Sequence, residues 1–354
     1  MQKTIEAKVP VRIDLAGGTL DIWPLYLLLD HALTVNLGID LFAKTKIILT
    51  KAKNKILTLE SIDQNIKEIY KLSDFDSKKL PHTLILHGKI FEYFYKKNPN
   101  KIKHSIHIQT EAKSPAGAGL GGSSALGISI LSAITTLFEG KKSIQTFNQK
   151  ARIIDLMKDI ESQILKVPAG LQDYYGAMFG GLQSIEWLPR EHKQKYYSKQ
   201  TLKECENRIL LFYSGKSRNS GINNWTLFKS FLDQNVDTIK KFNAILSATH
   251  ALDQALKTKD WNKVSEAIEA EWNARTKLAS SISTPEIDLA FKKALNLTPC
   301  SFKICGAGGG GCFFIFLKKP SIETKKRLIA HLTQNSDIIH LPFHVTDKGL
   351  LLKS

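Results

Sequence analysis

Residues 114–124 read SPAGAGLGGSS, and an almost wholly apolar stretch, 125–138, follows directly. Before it lies an alternating segment, 104–110, in which Ile106 and Ile108 share one face. The pattern predicts a strand, a glycine loop and the start of a buried helix. Glycines let backbone approach a ligand closely, and a helix N-terminus offers free N–H groups and partial positive charge. Together they form an anion cradle, most often for phosphate. Ser123 and Ser124 add hydroxyls for a phosphate or a magnesium ion.

Other readings of this loop are weaker. A P-loop requires Gly-Lys-Ser/Thr at its end, and no lysine is there. Gly117, Gly119 and Gly122 fit G-x-G-x-x-G, the dinucleotide fingerprint. That fingerprint also needs a second strand after the helix, and a helical segment, about 144–166, comes next instead. A turn without a ligand would have to order four glycines and two serines within 117–124 for no gain.

The chain is 354 residues long, which predicts two domains. Its formal charge of +17 is compatible with nucleic acid, a membrane surface or anionic small substrates. The lysines are spread thinly, and no RNA-binding aromatic motif or helix-turn-helix signal appears, so no nucleic-acid role is expected. No run of about eighteen apolar residues predicts a membrane span. The start, 1–10, carries Lys3, Glu6 and Lys8 and does not read as a signal peptide. Cys205, Cys300, Cys305 and Cys312 lack metal spacing and read as reduced core residues of a cytoplasmic protein.

Residues 4–15 alternate as a strand, followed by a turn at 16–19, and 33–50 read as two more strands. A hairpin is expected at 56–59 and 66–70, and a helix at 82–96. Pro168, Ala169 and Gly170 break the helix 144–166, and 171–188 read as a turn and strands. Residues 192–203, with Lys193, Lys195, Lys199 and Lys203, look like a solvated connector. The second half reads as α+β: a strand at 207–214, long helices within 222–280 and a helix at 285–296. Strands 301–305 and 312–317 then flank a loop with five glycines in six positions, before a helix at 321–334 and a strand at 339–345.

Phosphoryl transfer needs a phosphate cradle, a metal ligand, a base and a cation. Glu161 stands on an Ile/Leu-rich helical segment, where it is a magnesium ligand or a surface glutamate. Asp173 lies in a polar island after the helix break, as a base for a substrate hydroxyl or a capping residue. Arg12 sits inside an apolar strand. It needs Asp173 or a phosphate as partner if buried, and nothing if it is on an edge. Asp21 binds sugar hydroxyls or caps a helix starting near Ile22. The ten histidines show no HxxxH or HExxH spacing.

The order of these features resembles a known pattern. Residues 10–21 (PVRIDLAGGTLD), 115–125 (PAGAGLGGSSA) and 303–312 (KICGAGGGGC) resemble the three motifs of the GHMP kinases, in their order and spacing. Within that superfamily, 16–21, Gln172–Gly181 and 303–311 resemble the sugar 1-kinases, the heptose 7-phosphate kinases and fucokinases. So does the stretch from Glu271 to Arg275 and on to 285–288. Gly122 departs from the threonine or serine usual there, and the turn at Gly17 and Gly18 lacks a third glycine found in some heptose kinases.

The resemblance implies an α+β fold of two domains. A ribosomal-protein-S5-like ATP-binding α/β domain would span 1–190, a ferredoxin-like α+β domain 204–354, with the active site in the cleft between them. It implies ATP and Mg2+ as cofactors. Pro115, Gly117, Ala118, Gly119, Leu120, Gly121, Gly122, Ser123 and Ser124 would hold ATP, and Ser123 and Glu161 the magnesium. Asp173 would be the base, with Arg12 orienting it and steadying the transferred phosphoryl. Gly18, Thr19, Asp21, Gly308 and Gly309 would meet the substrate. The expected reaction is transfer of the γ-phosphate to a sugar hydroxyl, first of all the anomeric position of a heptose 7-phosphate. The expected partner is thus a small-molecule sugar or sugar phosphate, with a homodimer left open. Fucose-, galactose-, mevalonate- or homoserine-type kinases and a non-catalytic sugar or nucleotide sensor are the alternatives.

Overall fold

The computed structural model describes residues 3–217 and 222–354. Strand β1 (Lys3–Ala16) runs antiparallel to β2 (Leu33–Thr50) along most of their length. β2 is one strand where two were expected. It changes partner midway, pairing β6 through Leu33–Leu37 and β5 through Ala43–Thr50. A register shift against β1 between Val9 and Val11 falls between those two stretches.

The hairpin β3 (Ile56–Ser61) and β4 (Ile66–Lys71) forms as expected and joins β5 (Ser105–Ala112) in parallel. Helix α1 (Ile85–Lys97) lies between them in sequence. α2 (Gly122–Glu139) is buried against β1 and β2 on one side and α1, α3 (Phe147–Leu165) and α4 (Gln172–Phe179) on the others. Among the described helices, α2 alone is long and apolar enough to cross a membrane; here it is the central core helix. Thr146 and Gln149 close a capping box at the start of α3.

Two expectations fail between 171 and 203. Residues 172–179 are helix α4, not turn and strand, and only β6 (Leu182–Glu186) follows as a strand. Asp21 Oδ2 accepts the Gln172 N–H at 2.8 Å, so a residue distant in sequence caps α4. The basic stretch is not a connector either: β7 (Lys193–Tyr196) pairs β6, and α5 (Lys199–Arg208) starts at the N-cap Ser198. β7 is an outer strand, where alternating lysines face water and discourage further pairing.

The second sheet is antiparallel in the order β11-β8-β10-β9. β8 (Ile209–Tyr213) precedes the helices α6 (Ile222–Leu232), α7 (Val236–Thr258), α8 (Trp261–Thr276) and α9 (Pro285–Leu297). β9 (Cys300–Ile304) and β10 (Cys312–Leu317) flank the second glycine loop, and α10 (Ile322–Thr333) precedes β11 (Ile339–His340). The expected strand 339–345 is cut to these two residues. The chain then returns to the first half, where β12 (Leu351–Lys353) pairs β1 beyond its free edge. The second sheet and its helices occupy 209–340, and the chain rejoins the first half before the last strand: His344 and Thr346 bond the backbone of Asp40 and Gly38, and Val345 bridges Ile39.

The order of the first sheet, β12-β1-β2-β5-β3-β4, is mostly antiparallel, and α3 follows α2 with no strand between. Both facts exclude the doubly wound parallel sheet that a dinucleotide fingerprint requires.

Candidate active site

β5 delivers the chain into the glycine loop beside the N-terminus of α2. Gly117, Gly119 and Gly121 have φ of 67°, 77° and 72°, a backbone region hostile to L side chains. This backbone lets the loop run along the cavity wall without side chains in the way. A Cβ on Gly122 would lie 2.6 Å from the Ser114 hydroxyl, which would have to turn away for a serine or threonine to fit here.

A cavity of about 550 Å³ opens in front of the loop. Residues 115–124 line it except Leu120, whose side chain is buried in the core and whose carbonyl accepts the Arg12 N–H. Arg12, Gly18, Thr19, Asp21, Glu161 and Asp173 line it too. Gly308 and Gly309 do not. Gly306 and Ala307 take that wall, while Gly308 packs on Ile282.

Arg12 joins the pieces. Its Nε donates to Asp173 Oδ1 at 2.7 Å, and Nη2 lies 2.5 Å from the same oxygen. Nη1 donates to the carbonyls of Gly119 at 2.7 Å and Cys305 at 2.9 Å. One guanidinium thus ties the first strand, the first glycine loop, α4 and the base of the second glycine loop. The loops also meet directly, Cys312 N–H donating to Ala118 O at 2.6 Å. Burial works against the charge of Arg12, but the carboxylates of Asp173 and Asp14 outweigh it and raise its pKa. Arg12 is therefore the buried, partnered arginine and not an edge residue.

Glu161 is likewise buried and not a surface glutamate. Its Oε1 accepts from Ser123 Oγ at 2.9 Å, and its Oε2 from Ser124 Oγ at 3.0 Å and Tyr174 OH at 2.5 Å. Burial pushes its carboxyl above the usual range, partly offset by those three hydrogen bonds. Hydroxyl and carboxylate oxygens are the hard donors magnesium prefers. Among the described residues no cluster of three or more His, Cys, Asp or Glu forms a metal cage.

Asp21 is 2% exposed, and its carboxyl is pushed up to about 6, chiefly by burial, against the hydrogen bond from the Gln172 N–H. Asp173, in the first turn of α4, complements the helix dipole.

Other residues of the site were not anticipated. Tyr174 bonds Glu161, and a tyrosine next to Asp173 was the only available signal. Lys303 Nζ reaches Asp14 Oδ2 at 2.7 Å in the buried interior, two residues along β1 from Arg12. Burial raises the Asp14 carboxyl, but Lys303, Arg275 and Arg12 outweigh it and hold it below the usual range. Ser61, Asp63 and Gln64 at the hairpin turn, with His82, Thr83 and Leu86 at the start of α1, also line the cavity. No motif marked them.

Residues 86–181 match the family described as GHMP kinases N terminal domain, and residues 252–330 the one described as GHMP kinases C terminal. The chain is 26% identical to a D-glycero-alpha-D-manno-heptose 7-phosphate kinase of Campylobacter jejuni, over 98% of each chain. It is also 26% identical to an L-fucokinase/L-fucose-1-P guanylyltransferase of Bacteroides fragilis, over 92% of this chain and 36% of that protein. In fold it is similar to the crystal structure of a D-glycero-D-manno-heptose 1-phosphate kinase from Bacteroides thetaiotaomicron. The TM-score is 0.75 and the identity 20%, over 99% of each chain. With its two α+β halves and their paired glycine loops, the chain belongs to the GHMP kinases, phosphotransferases that take phosphate from ATP and have an alcohol group as acceptor.

Proposed function

We propose that the protein is a magnesium-dependent sugar kinase that transfers the γ-phosphate of ATP to the anomeric hydroxyl of a heptose 7-phosphate. The observation that carries this reading is the Arg12 bridge, which holds Asp173 against the glycine loop in a single cavity with Glu161. A sensor of the same fold needs neither that carboxylate pair nor its buried arginine. Similarity to the heptose 7-phosphate kinase over almost the whole chain supports the choice of sugar.

In this reading the N–H groups of 117–123 hold the ATP phosphates, except that of Ala118, which donates to Pro115 O, and the hairpin turn and start of α1 take the adenine. Ser123 and Glu161 hold magnesium, which neutralises phosphate charge when bound. Arg12 engages Asp173 only through Oδ1, which leaves Oδ2 to accept the proton of the attacking hydroxyl. Of the five N–H groups of the guanidinium, Nε, both on Nη1 and one on Nη2 are used, so one remains for the transferred phosphoryl. Orientation of Asp173 is then the larger part of its work. Gly18, Thr19 and Asp21 contact the sugar, and Gly306 and Ala307 close the other wall in place of Gly308 and Gly309.

The test is ADP release by the purified protein with ATP–magnesium and, separately, D-glycero-D-manno-heptose 7-phosphate, L-fucose, D-galactose and mevalonate. Phosphorus NMR of the product identifies the position. Turnover of the heptose 7-phosphate to its 1,7-bisphosphate is expected. Preference for another acceptor would reassign the substrate, and no turnover with any would count against catalysis.

A further inference from the structure

The turn at Gly17, Gly18 and Thr19 is costly to hold. Gly17 and Thr19 have φ of 86° and 82°, and a β-branched residue rarely adopts that conformation. Such backbone persists only where its surroundings over-determine it, at a cost of about 1–3 kcal/mol. The determinants come from the other half of the chain. Glu271 Oε1 on α8 accepts the Gly17 N–H at 3.2 Å. Arg275, one helical turn later, donates through Nη2 to the Gly18 carbonyl at 2.8 Å and through Nη1 to Thr19 Oγ1 at 3.5 Å. Three successive residues are thus gripped by one helix.

The grip is itself fixed. Arg275 Nη2 and Glu271 Oε1 lie 2.5 Å apart, Lys303 Nζ lies 3.7 Å from the same oxygen, and Lys303 also holds Asp14. The four side chains are at most 2% exposed, and their two positive and two negative charges cancel. A buried ionic network of this kind is weak evidence for stability, since apolar residues often do as well. What it supplies here is geometry. The turn leads within two residues to Asp21, and Arg275 also lines the cavity.

We propose that Glu271 and Arg275 are positioning residues for the acceptor substrate, acting through the turn 17–19 that they clamp; this rests on the functional reading above. The second half of the chain thereby shapes the acceptor site, while the nucleotide site is built on the first.

The experiment is Arg275→Lys, with KM and kcat measured for the best acceptor among the heptose 7-phosphate, L-fucose and D-galactose, and separately for ATP. Lysine keeps the charge that balances Glu271 and Asp14 but cannot reach Gly18 and Thr19 together. The variant is expected to fold, to keep its ATP KM, and to raise the acceptor KM about tenfold, the scale of one lost charge-assisted hydrogen bond. A folded variant with an unchanged acceptor KM, or with both KM values raised alike, overturns the proposal. Should Arg275→Lys fail to fold, hydrogen exchange on the wild type decides. Acceptor alone is expected to slow exchange in 16–22 and in 268–277 together; slowing in 16–22 only contradicts the clamp. Wild-type turnover is the control. Its absence counts against the functional reading, whereas its presence with an insensitive Arg275→Lys variant counts against the clamp alone.

Discussion

The phenol of Tyr174 donates to Oε2 of Glu161 at 2.5 Å, beside the hydroxyls of Ser123 and Ser124. Tyr174 immediately follows Asp173 in α4, so one helical turn carries both the proposed base and the group that steadies the proposed metal ligand.

Tyr174→Phe removes one of three donors that favour the Glu161 carboxylate against burial. The carboxylate that magnesium needs is then held by two hydroxyls in place of three. A hydrogen bond to a charged group contributes about 1.5–3 kcal/mol. We expect a several-fold higher magnesium concentration for half-maximal turnover, together with a lower melting temperature. Unchanged magnesium dependence would show that the two serines hold Glu161 unaided.

Asp21 sets a pH dependence. Its carboxyl lies at about 6 in the folded protein, above the ordinary Asp value, so the native state binds the extra proton between about pH 4 and 6. Stability from this group is therefore fully present below that window and falls as pH rises through it, by on the order of 2–3 kcal/mol. Asp21→Asn removes that slope, which denaturant melts at pH 4.5 and 7.5 will read. If the ionised form grips a sugar hydroxyl, acceptor kcat/KM in the wild type falls as pH drops through about 6. The variant lacks that limb. An identical pH slope of stability in wild type and variant would contradict the assignment.

Gly121 stands at the foot of the base. Its φ is 72°, and a Cβ there would lie 3.1 Å from Asp173 Cγ. Gly121→Ala should cost about 1–2 kcal/mol of stability from the backbone alone. By pushing Asp173 off Arg12 it should also lower kcat about tenfold, since small misplacements are expensive in positioned catalysis. Wild-type kcat in a destabilised Gly121→Ala protein would separate the loop from the base.

What could be read from the chain followed from local rules. The strand, glycine loop and α2 are one contiguous pattern, and the strands around 306–311 need no distant partner to be recognised. What could not be read depends on contacts made across the fold. α4 is short and begins just after Pro168, Ala169 and Gly170, and its start is satisfied by Asp21, far away in sequence. Residues 33–50 form one strand and not two, continuing while the partner changes from β6 to β5, which the sequence does not mark. Glu161 and Asp173 could be singled out as carboxylates out of place. Glu271, Arg275 and Lys303 lie in stretches that carry the resemblance, but their joint burial as one ionic network shows only in the fold.

The central claim is that Asp173, held by Arg12, takes the proton of the acceptor hydroxyl. ADP release by Asp173→Asn, measured beside the wild type on the best acceptor with ATP–magnesium, tests it most directly. Asparagine keeps the shape but cannot accept that proton. The variant should fold and show wild-type stabilisation by ATP–magnesium, with turnover reduced roughly 10²–10⁴-fold. The lower end is the more credible, because positioning outweighs proton transfer in a loose phosphoryl-transfer transition state. Near-normal turnover in the folded variant would contradict the account and leave Asp173 as the first-turn acid of α4 alone.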